Sequence, residues 1–203
     1  MAPRYEPKDA AYRAASQAGF RSRAALKLRE LDAKFTLLTS GARVLDLGCW
    51  PGGWLQVASR AVGARGIVVG IDQQPVAALG LDNVETLVAN LLSPDALEAV
   101  EALLAEPVDV VLSDLAPKLS GVRDVDRARH AALCECVMVY CDRFLARGGR
   151  CLLKLFSDGE SEATDKLRVR FAKVSKHRPE TTRKGSSEIY AVGSGYTRPT
   201  RSS

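Results

Sequence analysis

No two cysteines in this sequence stand at the C-x-x-C spacing, and the five present (Cys49, Cys134, Cys136, Cys141 and Cys151) are odd in number. That pattern argues against a disulfide framework or a thiolate zinc site and predicts reduced thiols in a cytosolic, cytoplasmic protein with no metal. Cys134 and Cys141, one heptad apart in an apolar helical stretch, read as packing residues. No apolar run approaches the length that spans a bilayer, so no membrane partner is expected. The opening stretch from Met1 to Arg13 is polar and charged, which predicts no secretory signal. Internal repeats are also missing. What is present is ordinary for a globular chain: 203 residues, 46% hydrophobic and 26% charged, enough to bury one full core. The expected organisation is a single domain over residues 1–193, with a basic helical segment at about 8–38 and a flexible tail over 194–203.

Charge is unevenly spread. The net charge is +5. Residues 1–43 carry Arg4, Lys8, Arg13, Arg21, Arg23, Lys27, Arg29, Lys34 and Arg43, and the last third is rich in arginine and lysine from Arg168 to Lys184. The middle is more acidic. Cationic ends around an acidic centre fit a small-molecule pocket bordered by a nucleic-acid surface, although for any single residue a solvated helix face is the simpler account.

The elements alternate. A short helix over Ala10–Ala18 is followed by a second helical stretch from Phe20, with Ser22 as its expected N-cap. Val44–Leu47 is strand one and Trp54–Val62 its helix. Gly66–Asp72 and Thr86–Ala89 are the next strands, and a helix opens at Ser93-Pro94. Val108–Leu112 is strand four. Asp126–Ala146 is a long helix closed by Arg147 and Gly148-Gly149. Arg150–Phe156 is strand five, and a helix over about Ser161–Phe171 follows. The runs Ala172–His177 and Glu188–Val192 have no room between them for a crossover helix and must pair antiparallel. This order predicts an α/β fold: a Rossmann-like, mostly parallel seven-stranded sheet with a terminal antiparallel hairpin.

The chain is organised around Val44 to Trp54, VLDLGCWPGGW. Strand, tight turn and helix meet there, the place where open α/β sheets bind nucleotide-like ligands. The second glycine of a G-x-G-x-x-G dinucleotide fingerprint is missing, which disfavours a pyrophosphate cradle and with it an NAD-dependent oxidoreductase. Asp46, just before the turn, suits a cation better than a phosphate. The D-x-G-x-x-x-G turn resembles motif I of S-adenosylmethionine (SAM) methyltransferases. Asp72, at the end of strand two, is placed to accept ribose hydroxyls, and Asn90, at the end of strand three, to meet an adenine edge. Lys154 sits inside the apolar run CLLKLF of strand five and needs a carboxylate partner if buried. Asp114, at the end of strand four, is the nearest candidate.

Five motifs carry a wider resemblance: Arg21-Ser22-Arg23-Ala24-Ala25-Leu26-Lys27-Leu28, Asp46-Leu47-Gly48-x-x-Pro51-Gly52-Gly53-Trp54, Ser113-Asp114-Leu115-Ala116-Pro117, Leu153-Lys154-Leu155-Phe156 and Arg183-x-x-Ser186-x-Glu188-x-Tyr190. Over about Asp9 to Val192 the sequence resembles the FtsJ/RrmJ family of ribose 2′-O-methyltransferases. The resemblance implies an enzyme that uses SAM and no metal. Its implied substrate is a uridine in the A-loop of 23S rRNA within the large ribosomal subunit, and the implied state is a monomer. It places the catalytic tetrad on Lys27, Asp114, Lys154 and Glu188, with Lys154 as proton acceptor, and cofactor contacts on Gly52, Gly53, Trp54, Asp72, Asn90 and Asp114. Two roles for Lys154 stay open: a base, which requires the neutral amine, or a group that only orients the 2′-oxygen. The basic N-terminal helix and the Arg183-Lys184 loop are expected to flank the substrate groove.

The chain departs from the family pattern at Trp50, where a small residue is usual, at Asn90 for aspartate, at Lys118 for asparagine and at Thr182 for serine. Base-amino methylation would want an Asn/Asp-Pro-Pro-aromatic segment after strand four, and a cytosine C5 mechanism a Pro-Cys nucleophile; the sequence has neither. A tRNA 2′-O-methyltransferase and a non-catalytic RNA-binding assembly factor are the alternatives to be separated by experiment.

Overall fold

Strands apolar on both sides need cover on both faces, and here two helical layers supply it. The computed structural model describes residues 10–156, 160–182 and 185–198. In chain order the elements are α1 (Ala10–Gln17), α2 (Ala24–Phe35), β1 (Arg43–Leu47), α3 (Gly53–Val62), β2 (Ile67–Asp72) and β3 (Val84–Val88). They continue as α4 (Pro94–Leu103), β4 (Val108–Ser113), α5 (Arg123–Phe144), β5 (Leu145–Phe156), α6 (Glu160–Arg168), β6 (Phe171–His177) and β7 (Glu188–Tyr196). The strands form one seven-stranded sheet in the order β3-β2-β1-β4-β5-β7-β6. The first five run parallel, and β7 lies antiparallel between β5 and β6. The α/β architecture with a terminal hairpin is therefore the one the alternation predicts.

Successive side chains of a strand point to opposite faces, and the two cores follow that rule. Leu45, Leu47, Val69 and Ile71 pack with buried residues of α4, α5 and α6. Val44, Val68, Val110 and Leu112 pack with α2 and α3. The order of strands reverses between β1 and β4, so a crevice opens above their carboxyl ends.

Several boundaries differ from the pattern-based expectation. No side-chain cap from Ser22 starts α2; the residue before the helix is Arg23, already in helical conformation. Ser22 instead faces the glycine turn, its Oγ filling the space that a Cβ on Gly53 would need. Ser93 precedes α4 with Pro94 at its start but makes no side-chain cap. Helix α5 stops at Phe144, short of Gly148-Gly149, because Leu145 is drawn into the core and pairs with Val108 on β4. Phe171 belongs to β6 and not to the preceding helix, buried beside Tyr196 with which it pairs. The tail was expected from residue 194, yet β7 continues through the buried Tyr196, whose hydroxyl donates a hydrogen bond to Asp142 at 3.0 Å. Expectations for residues 1–7, for Arg183 and Lys184 and for the end of the chain fall outside the described residues.

Candidate active site

The turn after β1 is built to bring backbone close to the crevice. Gly48 has φ 84°, and a Cβ there would lie 2.5 Å from Leu115 Cδ2. Gly52 has φ 106° and caps α3. Both conformations favour glycine for steric reasons. Arg21 clasps this region from outside: its guanidinium donates to the carbonyls of Pro51 at 3.4 Å, Ala77 at 2.5 Å and Ala78 at 2.5 Å. It is thus engaged in holding loops, and not free for a partner in the way its place in a basic segment suggested.

A cleft of about 610 Å³ opens beside the turn. Three of the expected cofactor residues, Asp72, Asn90 and Asp114, line it. Asp72 accepts hydrogen bonds from the backbone of Trp50 at 3.0 Å and Gln74 at 2.8 Å. Asn90 Oδ1 accepts from Gln73 Nε2 at 3.0 Å and from the Leu92 backbone at 3.1 Å. Gly52, Gly53 and Trp54 are not on that wall. Trp54 is buried, donates from Nε1 to the Ala24 carbonyl at 2.8 Å and lies against Tyr190. Gly48 and Trp50 face the cleft from the turn, with Lys118 and Arg129 also on its lining. Trp50 fits where a small residue was expected because its ring projects outward, 57% exposed.

Asp46 corrects a simple reading of the sequence. It does not meet the cleft as a free carboxylate. It is fully buried, and neither carboxyl oxygen has a partner. Burial, then the charges of Asp114 and Asp72, push its pKa well above the usual carboxylate range. Ser113 Oγ, on the neighbouring strand end, is likewise buried and unpartnered. Two unsatisfied polar groups thus sit under the switch point of the sheet, which is unusual for a protein interior.

Next to the cleft the four expected catalytic residues converge. Lys154, 6% exposed, donates from Nζ to the Asp114 carbonyl at 2.8 Å. Its Nζ also lies 3.1 Å from Asp114 Oδ1 and 3.8 Å from Glu188 Oε1. The buried lysine therefore has the carboxylate partner its apolar setting demands. Lys27, buried on α2, pairs with Glu188 Oε2 at 2.8 Å. Burial raises the Glu188 pKa, but the hydrogen bond from Lys27 and the charges of Lys27 and Lys154 outweigh it, so the carboxyl ends below its ordinary value. Tyr190 closes the network. Its hydroxyl donates to Asp114 Oδ1 at 2.6 Å, and its ring lies 5.8 Å from Lys27 Nζ. Sequence reasoning gave Tyr190 no role. Its signal was available: it stands two residues after Glu188, and the period of a strand puts both on one face.

A mixed sheet with β7 inserted antiparallel beside β5, helices on both faces and a cleft at the β1/β4 reversal defines a Rossmann-like methyltransferase fold. The FtsJ-like methyltransferase family model matches residues 20–196, and the chain belongs to that family. Two relatives are each described as ribosomal RNA large subunit methyltransferase E. That of an Anaeromyxobacter species is 42% identical over 98% of this chain and 72% of its own. That of Bdellovibrio bacteriovorus is 41% identical over 93% of this chain and 97% of its own. A crystal structure from Plasmodium falciparum, assigned as a ribosomal RNA methyltransferase, superposes with a TM-score of 0.77 at 25% identity, covering 87% of this chain and 98% of that one. The fibrillarin/Nop5p complex shares the fold at a TM-score of 0.60 and 17% identity, with 84% of this chain and 81% of that one covered.

Proposed function

We propose that this protein methylates a ribose 2′-oxygen of large-subunit ribosomal RNA, with SAM as donor, at a uridine of the 23S rRNA A-loop. The observation that carries the reading is the convergence of Lys27, Asp114, Lys154 and Glu188 in one ion-paired network beside a cleft at the switch point of a methyltransferase sheet, with Asp114 shared between the network and the cleft wall. The names of the large-subunit relatives support the choice of RNA.

The residues present fit the cofactor. A carboxylate at the end of β2, an amide at the end of β3 and a glycine turn with no room for a Cβ suit a nucleoside with a charged tail. Asp72 would hold the ribose hydroxyls and Asn90 the adenine edge, with Asp114 on the same wall, while Gly52, Gly53 and Trp54 would shape the turn from behind that wall. Bound SAM supplies an electrophilic methyl group.

The protein's own part is to bring an alcohol to that group and manage its proton. In-line displacement requires the 2′-oxygen to be held against the methyl carbon and its proton removed during or after attack. Lys154, steadied by the Asp114 carbonyl and flanked by two carboxylates, orients the oxygen; to take its proton the lysine must first give up one of its own, and the carboxylates of Asp114 and Glu188 are placed to receive it. Tyr190 fixes Asp114, and Asp114 fixes Lys154. Lys27, held by Glu188, meets the ribose or a neighbouring phosphate. The test is transfer of a labelled methyl from SAM to large subunits lacking the modification, beside free rRNA and tRNA. Alkaline hydrolysis maps the product, because a methylated 2′-oxygen cannot attack its own phosphate. A gap at one A-loop uridine is expected. Labelling of tRNA alone would overturn the substrate and keep the chemistry, while no labelling of any RNA would favour an assembly factor.

A further inference from the structure

Outside the tetrad, the densest set of long-range polar contacts on α2 is gathered by Glu30, one turn beyond Lys27. Its Oε1 accepts the backbone N–H of Glu180 at 2.9 Å and lies 3.1 Å from His177 Nε2. Its Oε2 accepts from the Thr181 backbone at 3.4 Å and the Thr181 hydroxyl at 3.3 Å. The far nitrogen of the His177 ring, Nδ1, is 3.1 Å from Lys34 Nζ, and the ring stands edge-on to Phe35. Lysine can only donate, so Nδ1 accepts from Lys34 and the Nε2 proton points to Glu30. The turn being gripped is closed by Thr182 N–H donating to the Pro179 carbonyl at 3.0 Å. One carboxylate thus collects donors from a single segment, the start of the β6–β7 connection.

The other end of that connection is held by the same helix. Glu188, the first residue of β7, is paired with Lys27. So α2 holds the described chain at two places, with Glu30 on residues 177–181 and Lys27 on Glu188. The hairpin does not need the entry grip to form, since β6 and β7 already pair from Phe171↔Tyr196 to His177↔Tyr190. The grip instead fixes where residues 178–181 lie relative to the tetrad. A binding segment ordered in advance loses less freedom when its partner arrives.

We propose that Glu30 is a positioning residue for the RNA substrate: it latches residues 177–181 onto α2, so that this stretch and Glu188 meet RNA in one geometry. The inference rests on the RNA reading above. Glu30→Ala and the shape-conserving Glu30→Gln test it against the wild type in three measurements. These are steady-state methylation of large subunits, SAM affinity by calorimetry, and hydrogen exchange across the chain. Loss of hydrogen bonds to a charged acceptor should raise KM for the RNA substrate about tenfold or more in Glu30→Ala. Glu30→Gln, which keeps one acceptor oxygen, should fall between. SAM affinity should hold, and faster exchange should be confined to residues 178–182. An unchanged KM in a wild-type-active background overturns the latch alone. Equal losses of kcat and SAM affinity, with faster exchange across β5 and β7, also overturn it and make Glu30 a general structural residue. No RNA methylation by the wild type overturns the latch together with the reading beneath it.

Discussion

Two buried side chains at the switch point carry opposite predictions. Lys154 is held by Asp114 and Glu188 and does not line the cleft, so its removal should spare cofactor binding. Lys154→Ala is expected to lower single-turnover methyl transfer by roughly 10²–10⁴-fold, the usual range for a proton-transfer group, while SAM affinity by calorimetry changes little. A comparable fall in both would assign Lys154 to the cofactor site. Asp46 behaves differently because it is buried without a partner. Its folded pKa is raised, so the folded chain keeps a proton that the unfolded chain gives up above about pH 3.9. Stability contributed at this position therefore falls as pH rises from there toward the folded pKa, by about 1.4 kcal/mol for each pH unit over which the folded chain holds the extra proton. Asp46→Asn removes the titration. Its stability relative to wild type, from urea unfolding, should rise between about pH 4 and pH 7. A difference independent of pH would show that Asp46 is ionised in the folded state.

At the scale of elements, the terminal hairpin is tied to α5 by one carboxylate. Asp142 accepts from Arg170 Nε at 3.0 Å and Nη2 at 2.8 Å, and from the Tyr196 hydroxyl at 3.0 Å. This clasp keeps the end of β7 ordered past Val192, where the apolar pattern alone would end it. Asp142→Ala leaves a half-buried guanidinium and a buried hydroxyl without their acceptor. It should cost roughly 2–3 kcal/mol, read as a lower urea midpoint at unchanged slope. The tetrad lies at the other end of the sheet, so activity per folded molecule should persist. Helix α2 illustrates why element boundaries were harder to foresee than element types. Its apolar stripe was visible, but Ser22 is used against Gly53 rather than as a cap, and only the packing of α2 on α3 reveals that.

For the whole molecule, the excess of cations should govern how the proposed RNA substrate is met. The net charge is +5, and Arg21 is spent on internal carbonyls. Binding that neutralises phosphates releases counterions, so its strength falls steeply with salt. RNA affinity is expected to drop at least about tenfold between roughly 50 and 200 mM salt, while SAM affinity shifts by less than about twofold. Equal salt sensitivity for both ligands would remove the charged surface from the account of RNA binding.

The sequence by itself determined the alternation of strands and helices, because each strand is an apolar run and each connection carries its own turn residues. It also determined the antiparallel hairpin, since no crossover helix fits between its strands. The family resemblance that the five motifs carry grouped Lys27, Asp114, Lys154 and Glu188 without any knowledge of the fold. Only the tertiary structure decided which carboxylate each lysine holds, that Tyr190 braces Asp114, and that Glu30 reaches across to residues 177–181. It alone showed Asp46 buried rather than facing a ligand, and Trp54 behind the cleft wall rather than on it. The physical reason is the same throughout. Periodicity and local propensity fix elements from residues near in sequence, whereas burial and pairing at the switch point depend on contacts between segments as distant as α2 and β7.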